Sequence, residues 1–170
     1  MGGWPKRVGA LALVVAKLPV AALAGHEDEL TRVAQDRVLR VYAWRALTRL
    51  SAFGDSGAAT LLWLVEDAGK ERAQQGGYGW QNAYLAGMTG LCTLGQDGAV
   101  ARDRLVALAE KRVVSVGSGV GWNLAISTFV RLGLSPEEII DLARRSGQTL
   151  QTDQFNIGLS QAASANPCGD

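Results

Sequence analysis

Several residue types in this sequence could carry chemistry. The carboxylate pairs Glu66-Asp67 and Glu137-Glu138 have the composition for general acid and base work, in which one carboxyl gives a proton and another takes it. His26 lies in His26-Glu-Asp-Glu29 and is the only histidine. A lone histidine forms no ligand pair or proton relay, and the HExxH pattern is not matched. Cys92 and Cys168 could bind metal or pair with each other. No CxxC occurs, so a zinc site is not expected. The loops Gly76-Gly-Tyr-Gly79 and Gly117-Ser-Gly-Val-Gly121 each precede a helical stretch, where backbone N–H groups can hold an anion. Their pattern is not Gly-x-Gly-x-x-Gly, and no Walker lysine or βαβ alternation accompanies them. No serine or threonine shares a motif with histidine.

Each of these features has a structural reading that suffices. Acidic residues before Leu30 favour a helix N-terminus through the macrodipole, and the two carboxylate pairs read as helix-end charge. The glycines turn the chain and let tryptophans pack. Cys92 sits in an apolar run and reads as a small buried hydrophobe. Its pairing with Cys168 requires the polar tail to fold back, and the expectation is that it does not. Arg32, Arg37, Arg40 and Arg45 read as a solvated helix face, with an anion or nucleic-acid site as the weaker alternative. The expectation is therefore no catalysis, no cofactor and no metal. The residues proposed for binding are Tyr78, Trp80 and Trp122, which would line one edge of the molecule if exposed; the preferred alternative makes Trp80 and Trp122 core between repeats. Trp44 and Trp63 lie on apolar helical faces and read as core.

The elements that would position these residues are helical. Leu30, Val33, Val38, Val41, Trp44 and Leu47 recur at helical spacing, with a break expected near Asp36. Leu47, Leu50 and Phe53 continue the face, and Gly54 ends it as a glycine in the left-handed conformation. Ser56 or Asp55 would cap the next helix, which carries Leu61, Leu62, Leu64 and Val65. The same device recurs at Gly95-Gln-Asp97 and Gly133-Leu-Ser135, so the turn glycines stand 41 and then 38 residues apart. Ser135-Pro-Glu-Glu138 places serine at N-cap, proline at N1 and glutamate at N3, a strong helix start. Gly77-Tyr-Gly-Trp-Gln-Asn-Ala83 matches Gly119-Val-Gly-Trp-Asn-Leu-Ala125, with tryptophans 42 residues apart. Val113-Val-Ser-Val116 is the one weak strand signal.

A two-helix repeat of about 40 residues has the size of HEAT or armadillo units. Ala46 to Asp67 resembles the HEAT-repeat family: a helix, a Gly-Asp turn, then a leucine-rich helix ending in an acidic pair. The resemblance spans roughly residues 30–146. It lacks the family's usual Val-Arg after the acidic pair, where a glycine-rich loop stands instead. The fold it implies is all-α, a right-handed α-solenoid of three to four antiparallel helical hairpins. The function it implies is a protein–protein interaction or scaffolding module, with another protein as the partner.

The 170 residues suit one domain, and hydrophobic residues make up 48 %. The net charge of +1 gives no strong nucleic-acid signal. Residues 1–25 carry Lys6 and Arg7, an apolar run from Val8 to Ala16, and Ala22-Leu-Ala24. This is the outline of a signal peptide, but Lys17 inside the apolar region is costly in a membrane. The alternative is an N-terminal helix of the fold. The first reading makes the protein exported or membrane-tethered, with membrane contact through residues 1–24. The second leaves it cytoplasmic and is the reading preferred from the sequence. Residues 26–147 form the repeat region. Residues 148–170 read as a polar, mostly flexible tail with one marginal helix near Gly158 to Ala163.

Overall fold

The computed structural model describes residues 3–75 and 79–169. Every regular element among them is helical. The α-helices are α1 (Trp4–Lys17), α2 (Glu27–Gln35), α3 (Leu39–Leu47), α4 (Gly54–Gln75), α5 (Gly79–Leu94), α6 (Ala99–Glu110), α7 (Trp122–Arg131), α8 (Pro136–Arg145) and α9 (Thr152–Ala162). Short 3-10 turns cover Val20–Leu23, Thr48–Phe53 and Gly95–Gly98. Val113 to Val116 is irregular backbone, not a strand.

The local signals explain where most helices stop. Asp36 breaks the long helical pattern: its Oδ1 accepts from the N–H groups of both Val38 and Leu39 at 2.9 Å, which starts α3 anew. Gly54, Gly95 and Gly133 all take positive φ, at +57°, +56° and +95°, where a side chain would be strained. Ser135 accepts from Glu138 N–H while the Glu138 carboxylate accepts from Ser135 N–H at 2.7 Å, completing the expected capping box. The other two caps do not form. α4 begins at Gly54 itself, and the Ser56 hydroxyl donates back to Phe53 O. Asp97 lies within a 3-10 turn, and α6 starts after Gly98 without a side-chain cap. α6 ends on Arg112 at φ +59° rather than on glycine. The Arg112 Nε donates to Ser146 O at 2.8 Å, so a long-range contact holds a conformation that its side chain disfavours.

The helices neighbour one another in two rows. α1 packs on α3, α3 on α5, α5 on α7, and α7 on α9. α2 packs on α4, α4 on α6, and α6 on α8. The rows meet most intimately at α4 and α5, where Leu61 and Val65 pack on Gly87 and Gly90, and where Leu64, Ala83, Ala86, Met88 and Leu91 are also fully buried. Residues 3–25 pack with the rest: Ala12 and Leu23 are buried, and Arg49 Nη2 donates to Leu18 O at 2.7 Å. α1 leaves Leu11 and Val14 exposed. Among the described residues no helix is long and apolar enough to cross a membrane.

The C-terminal segment departs most from its expected form. Its helix runs from Thr152 to Ala162 and packs on α7, with Phe155 buried. The tail then folds back. Cys92 and Cys168 form a disulfide with Cα atoms 5.6 Å apart, across 76 residues of sequence. Ser127 Oγ and Gln161 Nε2 both donate to Pro167 O, at 2.5 and 3.2 Å. The pairing was not expected because nothing local to either cysteine brings them together; α7 and α9 do.

Gly87 lies where α4 and α5 press together. A Cβ there would stand 2.6 Å from Val65 Cγ2 and 2.7 Å from Leu61 O. Gly87→Ala is expected to lower stability by about 2 kcal/mol through overpacking. Gly9→Ala, where the new Cβ meets nothing closer than 3.9 Å, is expected to raise it by up to about 1 kcal/mol. Urea unfolding of the two variants checks both signs.

Candidate functional site

The arginines of the second and third helices do not form one solvated face. Arg40 is fully buried, at 0 % exposure. Its Nη2 lies 2.7 Å from Asp67 Oδ2 and 2.8 Å from Glu71 Oε2, and its guanidinium sits 5.7 Å from the Trp63 ring centre. Arg37 adds longer contacts of 3.6 Å to Asp67 and 3.7 Å to Glu71. An arginine held by two carboxylates in the interior has no charge left for an anion or a nucleic acid. Arg32 lies against Glu29 on the surface at 3.5 Å. Glu66 and Asp67, read as the end of a helix, stand in the middle of α4. Asp67 serves the Arg40 cluster, while Glu66 binds Lys70 at 3.1 Å on the surface. Trp63 is 37 % exposed rather than core, its ring covered on one side by Arg40.

Of the aromatic residues proposed for binding, Tyr78 lies outside the described residues. Trp80 and Trp122 occupy matching places, at the starts of α5 and α7. Both are half-buried against the core. Arg72 lies over the Trp80 ring at 5.4 Å, and Tyr84 meets Trp80 edge-on at 6.3 Å. A Cβ on Gly121 would stand 3.2 Å from the Tyr84 ring, so Tyr84 lies between the two tryptophan-bearing segments. Burial pushes the Tyr84 phenol well above its ordinary pKa, against a smaller opposing pull from Arg72. The phenol therefore stays neutral. The loop 117–121 is also a packing device, since a Cβ on Gly117 would stand 2.1 Å from Thr149 O.

Two concave surfaces stand out among the described residues. The first is a cleft of about 270 Å³ between α1, α3, the 3-10 turn Thr48–Phe53, α5 and the returned tail. Lys17, Arg45 and Arg49 line it with the hydroxyl residues Thr48, Ser51, Thr89 and Thr93. The second is a groove of about 520 Å³ between α6 and α8. Val106, Leu134 and Leu142 supply its apolar surface, and its charged residues are Asp103, Glu137, Glu138, Asp141, Arg102 and Arg145. Arg144 and then Arg145, both hydrogen-bonded to Asp141, hold its carboxyl below the usual carboxylate range. Arg145 also reaches Glu110, and Arg102 reaches Asp103 at 3.2 Å. Glu137 has no ion-pair partner among the described residues.

The sequence signals for these surfaces were faint. Arg45 and Arg49 stand four residues apart, as do Thr89 and Thr93, spacings that share a face. Lys17 registered only as a charge interrupting an apolar run. Glu137 and Glu138 were visible as a pair, but their apolar neighbour Val106 comes from another helix. No protein-family model, curated protein or solved structure matches this chain.

Replacing Arg40 tests the internal charge cluster. Arg40→Met leaves two half-buried carboxylates with only the longer contacts to Arg37 and is expected to cost about 3 kcal/mol. The triple change Arg40→Met, Asp67→Leu, Glu71→Met is expected to recover most of that loss. Urea unfolding of both proteins is the measurement.

Proposed function

We propose that this protein is a short right-handed α-solenoid of helical hairpins, similar to HEAT repeats, that binds another protein and performs no catalysis of its own. The two rows of neighbouring helices support the solenoid reading. So do hydrogen bonds that step from one unit to the next at the expected repeat. Asn82 Nδ2 donates to Val41 O across 41 residues, Thr128 Oγ1 to Met88 O across 40, and Gln148 Nε2 to Ala109 O across 39.

The observation that carries the binding role is the α6–α8 groove. Its apolar surface is bordered by four carboxylates against two guanidiniums. Such a surface suits a protein segment whose apolar residues are flanked by lysine or arginine. A photo-crosslinker placed at Val106, in the same groove, is expected to trap one dominant protein in the native host. The double reversal Asp103→Lys, Glu137→Lys is expected to reduce that capture at least tenfold. Equal capture by the reversed protein would remove the groove as the binding surface.

The disulfide favours a second reading, in which the protein is exported or tethered at the cell envelope. Disulfides persist in oxidising compartments and are rare in the cytosol, and residues 1–25 carry the outline of an export signal. Fractionated cells are expected to yield the protein in an oxidising compartment with neither thiol free to alkylate. Recovery from the cytosol with both thiols free would sink this reading and leave the scaffold reading intact. Reduction is expected to lower stability by about 4 kcal/mol, given the length of the closed loop. Urea unfolding with and without a phosphine reductant measures that difference.

A further inference from the structure

We infer that the cleft between α1, α3 and α5 is a binding site for a phosphate monoester. Lys17, Arg45 and Arg49 reach it from α1, α3 and the turn Thr48–Phe53, and no described residue lining it is a carboxylate. Among the described residues none of these cations has an ion-pair partner. Helix C-termini attract cations, which accounts for Lys17 and Arg45 one at a time. It does not account for Arg49, which spends one nitrogen on Leu18 O while its buried Nε has no partner. Nor does it account for their convergence on one enclosed space.

The chemistry of the lining selects the ligand. Three cations exceed what a single carboxylate would balance, whereas a phosphate monoester carries nearly two negative charges and three acceptor oxygens. Thr48, Ser51, Thr89 and Thr93 add hydroxyls within the same cleft. The Thr48 and Thr93 hydroxyls donate to Arg45 O and Thr89 O, so they would have to turn from these carbonyls to donate to a phosphate oxygen. Leu13, Ala16 and Trp44 offer apolar wall for a short organic body. Arg45 lies over the Trp44 ring at 4.5 Å, which steadies its guanidinium at the rim. A space of about 270 Å³ lies just below the range of drug-sized ligands and suits a small phosphate ester rather than a polymer.

The returned tail completes the enclosure. Gly169 lines the cleft, and the disulfide pins the preceding Cys168 to α5 between Thr89 and Thr93 in sequence. The ligand could be free in solution or the headgroup of phosphatidic acid, since α1, which supplies Leu13 and Lys17 to the cleft, also exposes the apolar Leu11 and Val14.

Calorimetric titration of the full oxidised chain with glycerol 3-phosphate, and flotation with phosphatidylcholine vesicles with and without phosphatidic acid, separate these sources. Saturable binding of glycerol 3-phosphate identifies a soluble ester. Binding confined to the phosphatidic acid vesicles identifies the headgroup. In either case Lys17→Gln with Arg45→Gln, both exposed positions, is expected to weaken binding at least tenfold. The distant Arg102→Gln is expected to leave it unchanged. Absence of binding to both probes, or equal binding by the Lys17/Arg45 variant, would overturn the assignment.

Discussion

The close approach of α4 and α5 is the constraint on which the rest of the structure depends. These helices join the two rows, and they can do so because α5 presents glycine where α4 presents Leu61 and Val65. At Gly90 a Cβ would lie 2.5 Å from a Leu61 methyl, and at Gly87 it would meet both Val65 and the Leu61 carbonyl. Glycine inside a helix costs about 1 kcal/mol each in propensity. Burial offsets that cost: Ala83, Tyr84, Ala86, Met88, Leu91 and Cys92 on the same helix are withdrawn from water. With α5 seated on α4, its other faces are left for α3 on one side and α7 on the other.

That seating also decides what α5 can offer. Its Thr89 and Thr93 border the cationic cleft, and Cys92 between them takes the disulfide that returns the tail. One helix therefore supplies part of the core, one wall of a cleft and the anchor of the C-terminal segment. The tail is held as well by Asn123 Nδ2 donating to Gln161 Oε1 at 2.6 Å. A stretch that is polar in composition is ordered here because its few apolar residues and its cysteine reach α7 and α5.

Charge is arranged with similar economy. The net charge of +1 conceals an interior cluster, a cationic cleft and a groove with more carboxylates than guanidiniums. Arg40 and its two carboxylates link α3 to α4 across 27 residues in the Arg40–Asp67 pair. In the interior such a group is strongly destabilising if one partner is lost, so it ties these helices to one arrangement. Lys17, Arg45 and Arg49, which line the cleft, have no ion pair among the described residues, whereas Arg37 and Arg40 are held by Asp67 and Glu71.

Much of the helical framework was legible because its rules are local. The break at Asp36, the left-handed glycines at 54, 95 and 133, and the Ser135–Glu138 box all act within about four residues. Such signals survive without knowledge of the rest of the chain. The apolar face of α4 was legible for the same reason, through helical period. Local rules failed where two ends compete for one segment: Ser56 found the Phe53 carbonyl instead of capping, and Arg112 took a conformation suited to glycine because Ser146 O holds it. The burial of Arg40, the exposure of Trp63, the disulfide and both concave surfaces were decided only by tertiary structure. Each depends on partners 27 to 76 residues distant or on several helices at once, and no period or motif records which side chains will meet once the rows have packed.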